Sequence, residues 1–279
     1  MIIKLFQKRS KERFFYMARN STIWQLKSTE GCSLGHLIGT IHLQAAAALH
    51  RQLLIDEIIM DSEFVYNETN LETMSDPHFQ SKLFLPKGDH IRNYFTKSYY
   101  QRLYQKLLRS LQLDINKLGT LYPLMIQNIV SQALVERSGY ISLDEYIYQQ
   151  SKSNGKVVCG LETHQEQLKV LQTIDITDQI RFLKHTIENL TKSRIQIQKL
   201  SRLFVDGNIH LLYRKSAQQL GKYRSLLLYD RNEVIANRIS FTANSDYQQL
   251  YSVGAGHLSG KYGLLHLLHQ KGFRLSPVN

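Results

Sequence analysis

The chain has 279 residues, 43% of them hydrophobic, enough for a sizeable core in one large domain or two small ones. Polar residues interrupt every apolar run well before the roughly 18 positions a bilayer span needs, so no transmembrane segment is expected. A net charge of +12 favours anionic partners, and two cysteines, Cys32 and Cys159, support neither a disulfide framework nor a zinc-binding cysteine cluster.

Residues 1–20 read as a basic arm, with Lys4, Lys8, Arg9, Lys11, Arg13 and Arg19 against Glu12. Such an arm suits an anionic surface. No RNA-binding aromatic motif or zinc finger accompanies it, so no specific nucleic-acid partner is expected. No continuous apolar region with a small-residue cleavage site follows Met1, so no signal peptide is read and a cytoplasmic location is the expectation.

From residue 21 to 279 the pattern is that of one domain. Thr22 to Lys27 alternate as a strand, Gly31-Cys32-Ser33 marks a turn, and a second apolar run reaches His42, giving a hairpin. Residues 44–60 follow a helical pattern, and Phe64-Val65-Tyr66 reads as a strand leading into Glu68. Helices are expected over 98–112, over 121–137 and from Ser142, where Ser142-Leu143-Asp144-Glu145 has capping-box spacing. Asn154-Gly155 is a turn before a strand, Lys156 to Gly160. Residues 164–240 are almost wholly helical in pattern, broken once at Asp206-Gly207-Asn208, and hold a second basic excess. A strand before His257, a helix through 260–271 and a last strand near Phe273 to Pro277 complete the chain. Strands gathered at both ends predict an α/β fold: a central mixed sheet built from N- and C-terminal segments, flanked by helices, with a long helical insert over about 90–240.

Gly-x-x-His occurs twice at a strand end, as Gly39-Thr40-Ile41-His42 and Gly254-Ala255-Gly256-His257. The same string ending at His210 begins in a turn, and the one ending at His266 lies inside a helical pattern, so neither shares that setting. Two imidazoles at strand ends need a third donor to hold a catalytic ion, and Glu68 is the leading one. His42, Glu68 and His257 would then hold a divalent metal ion such as Mn²⁺, Zn²⁺ or Co²⁺, which brings the pKa of bound water towards neutrality. Glu162, directly after a strand, is either a general base or further ligand, or a carboxylate complementing a helix that starts near His164. Arg231-Asn232 either holds a carboxylate of a substrate or the site, or belongs to an exposed charged helix face. His266 and His269, one turn apart, read as core or surface residues. HExxH, GxSxG, P-loop and GxGxxG signatures are absent.

Taken together, these segments resemble the TraB/GumN family, which is related to the Tiki membrane metalloproteases and more distantly to erythromycin-esterase and ChaN-like folds. The resemblance runs from Trp24 to the C-terminus. It rests on Trp24 with Leu37 to His42, Glu68, Leu121-Tyr122-Pro123, Leu143-Asp144, Gly160-Leu161-Glu162-Thr163 with Gln167, Arg231-Asn232, and Val253 to Leu258 with Gly260 and Gly263. It implies an α/β fold whose two Gly-x-x-His motifs and glutamate form a metal-dependent hydrolytic site, with a peptide or protein as substrate. Family members often carry an acid two places after the glutamate, where this chain has Asn70. The alternative is a non-catalytic binding protein that takes a peptide pheromone, haem or iron in the same cleft.

Overall fold

The computed structural model describes residues 20–41, 49–72, 76–135 and 141–278. Its centre is a six-stranded mixed sheet in the order β4-β3-β5-β2-β1-β6. The strands are β1 (Ile23–Lys27), β2 (Ser33–Thr40), β3 (Phe64–Thr69), β4 (Val157–Glu162), β5 (Gln249–Gly254) and β6 (Arg274–Pro277). β2, β5, β3 and β4 run parallel, while β1 is antiparallel to both β2 and β6. Five strands come from the two ends of the chain, as expected, and β4 lies within the helical insert.

The parallel core needs two covered faces, and the sequence supplies apolar residues on both. Leu37, Tyr251 and Val253 pack with Leu258, Ile235 and Leu268 on one face. Ile38, Val65 and Leu250 pack with Ile55, Ile147 and Phe204 on the other. A further core, including Leu107, Ile126 and Leu183, is internal to the insert. The β1–β2 hairpin carries a register shift opposite Gly35. Gly35 has φ +119°, and a Cβ there would sit 1.8 Å from the Gln249 carbonyl oxygen, so only glycine lets β2 lie against β5.

The helices are α1 (Gln52–Asp61), α2 (Pro77–Ser81), α3 (Lys97–Leu111), α4 (Ile115–Leu118), α5 (Pro123–Ala133), α6 (Leu143–Ser153), α7 (His164–Thr173), α8 (Ile176–Glu188), α9 (Leu190–Val205), α10 (Ile209–Leu220), α11 (Asp230–Thr242) and α12 (Leu264–Gln270). α5 starts two residues later than the sequence pattern suggests, because Pro123 fixes the first helical position. Ser142 caps α6 as expected, its hydroxyl accepting from the Glu145 N–H. The helical stretch from 164 to 240 breaks more often than expected. Asp175 caps α8, Asn189 separates α8 from α9, and a π-helical turn over Ser225–Tyr229 leads into α11. Among the described residues no helix is long and apolar enough to cross a membrane.

Registry sets the site. Thr40 lies opposite Gly254, Asn67 opposite Ser252 and Thr69 opposite Glu162, so the four parallel strands end at one edge of the sheet. The C-terminal edge of such strands is where α/β folds place ligands.

Candidate functional site

Three charged side chains meet at that edge. Glu68 projects from the penultimate position of β3, and its Oε2 accepts the Gly254 N–H at 2.9 Å. Glu162 ends β4, and Arg231 comes from the first turn of α11. Arg231 Nε donates to Glu162 at 2.9 and 3.2 Å, and its Nη2 donates to Glu68 Oε1 at 2.5 Å and also to Glu162 Oε2. Gln167 of α7 reaches Glu68 at 3.4 Å and Glu162 at 3.5 Å. The side chains of Arg231, Glu68 and Glu162 are only 15%, 11% and 4% exposed. Burial works against the Arg231 charge, but the Glu162 hydrogen bonds and the Glu68 charge outweigh it and raise its pKa. One guanidinium thus faces two carboxyl groups.

His257 ends a single 3-10 turn, Ala255–His257, directly after β5. Its Nδ1 lies 2.5 Å from Asn232 Oδ1. Asn232 is fully buried, and its Nδ2 donates to the Tyr262 carbonyl at 2.5 Å and the His257 carbonyl at 3.4 Å. With the amide nitrogen committed to two carbonyls, Oδ1 must accept, so His257 donates from Nδ1, and in the neutral ring the lone pair is on Nε2. An outer partner that fixes a ring in this way is characteristic of metal-ligating histidines.

The motif glycines have packing reasons. A Cβ on Gly39 would lie 2.6 Å from Leu258 Cδ1 and 3.1 Å from Ala255, so the first motif leaves room for the turn that carries the second. The Cβ position beside Gly254 is 3.4 Å from Glu68 Oε2 and 3.5 Å from His257 Cδ2, so carboxylate and imidazole flank the same strand end. His42 lies outside the described residues. β2, which leads towards it, ends at Thr40, and the Thr40 hydroxyl donates to Asp144 Oδ1 in the first turn of α6.

Among the described residues no three His, Cys, Asp or Glu side chains gather into a metal-binding group. Glu68 and His257 supply two donors, a carboxylate and an imidazole, of the chemistry a divalent cation takes. Of the three donors the sequence suggests, Glu68 and His257 are thus placed at one strand end, and His42 lies outside the described residues.

The two readings of Glu162 and of Arg231-Asn232 can now be separated. The N-terminus of α7 is capped by Thr163, whose hydroxyl accepts from the Glu166 N–H at 3.2 Å while Glu166 accepts the Thr163 N–H at 2.8 Å. Glu162 directly precedes that cap without forming it, and its carboxylate receives Arg231. Arg231 and Asn232 are buried rather than part of an exposed helix face. Of the other Gly-x-x-His strings, His210 sits on α10 with Nδ1 2.5 Å from Ser259 Oγ, and His266 sits on α12. Gln167 joins the network although the sequence marks it only through the family resemblance, and Asp144 instead meets Thr40 at the end of β2. An acid in a helix first turn is ordinary, so nothing local distinguishes Asp144. Glu162 is also among the residues lining a cavity of about 460 Å³, with Asn70, Phe79, Thr163 and His164. His164 Nε2 lies 2.6 Å from the Asn70 carbonyl oxygen, which holds that wall in place.

Among curated proteins the chain is similar to Metalloprotease TIKI2 of Danio rerio, 23% identical over 319 aligned positions that cover 92% of this chain and 60% of that protein. It is similar to Metalloprotease TIKI1 of Homo sapiens at 22% identity, covering 92% and 61%. A Metalloprotease TIKI homolog of Nematostella vectensis is 22% identical, covering 71% and 48%. The chain thus spans about half to three fifths of the length of these relatives. No solved structure matches it. The TraB/PrgY/gumN family profile matches residues 22–277, from the strand before the first Gly-x-x-His to the last strand of the sheet, and the chain belongs to that family.

Proposed function

We propose that this protein is a metal-dependent hydrolase of peptide or protein substrates, with His42, Glu68 and His257 holding the ion. The observation that carries the reading is the meeting of Glu68 and the Asn232-oriented His257 at one strand end. A bound Mn²⁺, Zn²⁺ or Co²⁺ would supply an activated water and polarise a carbonyl. Asn232 keeps the His257 lone pair on Nε2. The Gly254 N–H and Arg231 fix the direction of the Glu68 carboxylate. Arg231 stays protonated and takes no part in proton exchange. Glu162, held by Arg231 and among the residues lining the 460 Å³ cavity, is the carboxylate assigned to assist proton transfer. Asn232, being fully buried, acts by orienting His257 rather than by touching substrate.

The similarity to proteins named metalloproteases supports this reading at the level of the family. One observation favours the second reading, a binding protein for a peptide pheromone, haem or iron: a permanent cation, Arg231, already rests on Glu68. A peptide panel separates the two. Hydrolysis that a chelator abolishes and added metal restores, and that His257→Ala and His42→Ala lose, is the expected result. Saturable binding without turnover, or full hydrolysis by His257→Ala, would refute the hydrolase.

A further inference from the structure

The second basic excess falls on the α9–α10 hairpin. α9 carries Lys192, Arg194, Lys199 and Arg202 with no acidic residue, and α10 carries Arg214 and Lys215 with none. All six are exposed, and among the described residues none has a carboxylate partner. α9 is also thinly anchored, fully burying only Leu190 and Phe204. Its outer stripe runs Lys192, Ile195, Lys199, Arg202, Val205 at helical spacing, with Ile195 46% and Val205 38% exposed. Next to it is a cavity of about 370 Å³ lined by Gln196, Lys199, Leu203, Lys215 and Gln218. The basic arm joins the fold at the same place: Ser21 Cα and the Asn20 carbonyl oxygen lie 3.2 and 3.4 Å from the Cβ position of Gly207, in the turn between the two helices.

We infer that this hairpin docks on an anionic phospholipid membrane, with a headgroup phosphate seated between Lys199 and Lys215. Cations interleaved with exposed aliphatic residues along one helix stripe suit an interface of charged headgroups over acyl chains. A single-stranded nucleic acid would call for exposed rings on which bases stack. Here Phe204 is buried, and half-buried Tyr213 packs so closely on Gly260 that a Cβ there would lie 2.3 Å from its ring. The proposal is independent of the metal site.

Co-sedimentation of the full chain with vesicles tests it. Vesicles containing phosphatidylglycerol should bind the protein and pure phosphatidylcholine vesicles should not, with binding lost as salt rises. Each removed cation should weaken binding roughly fivefold, so Lys199→Gln with Lys215→Gln should lose more than about tenfold. Ile195→Ser should weaken binding at unchanged charge. Because these side chains are exposed, melting temperatures should stay at the wild-type value, and the comparison of the two lipids in the wild-type protein does not depend on any variant. Equal binding to both lipids would overturn the inference. So would an unchanged affinity in the lysine variant, loss confined to substitutions at Lys8, Arg9 and Lys11, or tighter binding to single-stranded RNA than to the anionic vesicles.

Discussion

At the scale of single residues, the site is decided by who accepts and who donates. Asn232 has both ends of its amide committed, so Asn232→Ala removes the acceptor that fixes the His257 Nδ1 proton. Under the proposed function this variant should fold and lose about 10- to 100-fold in metal affinity, read by titration of the metal-free protein. Arg231→Gln acts differently. It leaves Glu68 and Glu162 facing each other without the cation that joins them. Breaking a buried ion pair from one side costs about 3–5 kcal/mol, so the melting temperature at neutral pH should fall sharply. Converting both glutamates to glutamine in that background should restore much of the loss, and a further drop would show that the triad is not coupled. The sequence identifies Arg231 as able to hold a carboxylate but not which one. Glu68 is 163 positions away and Glu162 is 69, and no local pattern encodes a contact at that distance.

At the scale of elements, strands and caps were read more surely than breaks. The capping at Ser142 and the strand before His257 follow from short-range patterns and stand in the structure. The breaks at Ile174-Asp175 and Asn189 differ from the continuous pattern, the first of them at a local cap signal, Asp175, whose side chain accepts the Thr177 N–H. The reciprocal Thr163 and Glu166 cap also went unread, although its spacing is present in the sequence. Glu166 additionally pairs with Arg238, whose hydrogen bond holds its carboxyl down to about 2. A depressed carboxyl stabilises the fold above the ordinary pKa of 4.5, and that stabilisation is lost as pH falls from there towards 2. Because the pair is partly exposed, Glu166→Gln should cost no more than about 1 kcal/mol. The gap in melting temperature from the wild type should be constant above pH 4.5 and close below it. A gap that persists at pH 2 would refute the assignment. Gly35→Ala should be worse tolerated, costing at least about 2 kcal/mol, since its positive φ and its contact with the Gln249 backbone both forbid a side chain. Chemical denaturation measures that loss directly.

At the scale of the whole molecule, the sheet explains why distant residues can act together. Glu68, Glu162 and the turn bearing His257 come from three parallel strands whose ends are level, so one edge collects chemistry from segments nearly two hundred residues apart. The pairing of strands from both chain ends was legible, because buried strands announce themselves by apolar runs. Their order was not, since β5 slots between β2 and β3 through long-range registry alone. The central claim is that His257 and Glu68, with His42, hold one divalent ion. Elemental analysis of protein purified without chelator, repeated on His42→Ala and His257→Ala, tests it most directly. About one ion per chain is expected in the wild type, with near-complete loss in each variant. Full metal content in either variant would contradict it.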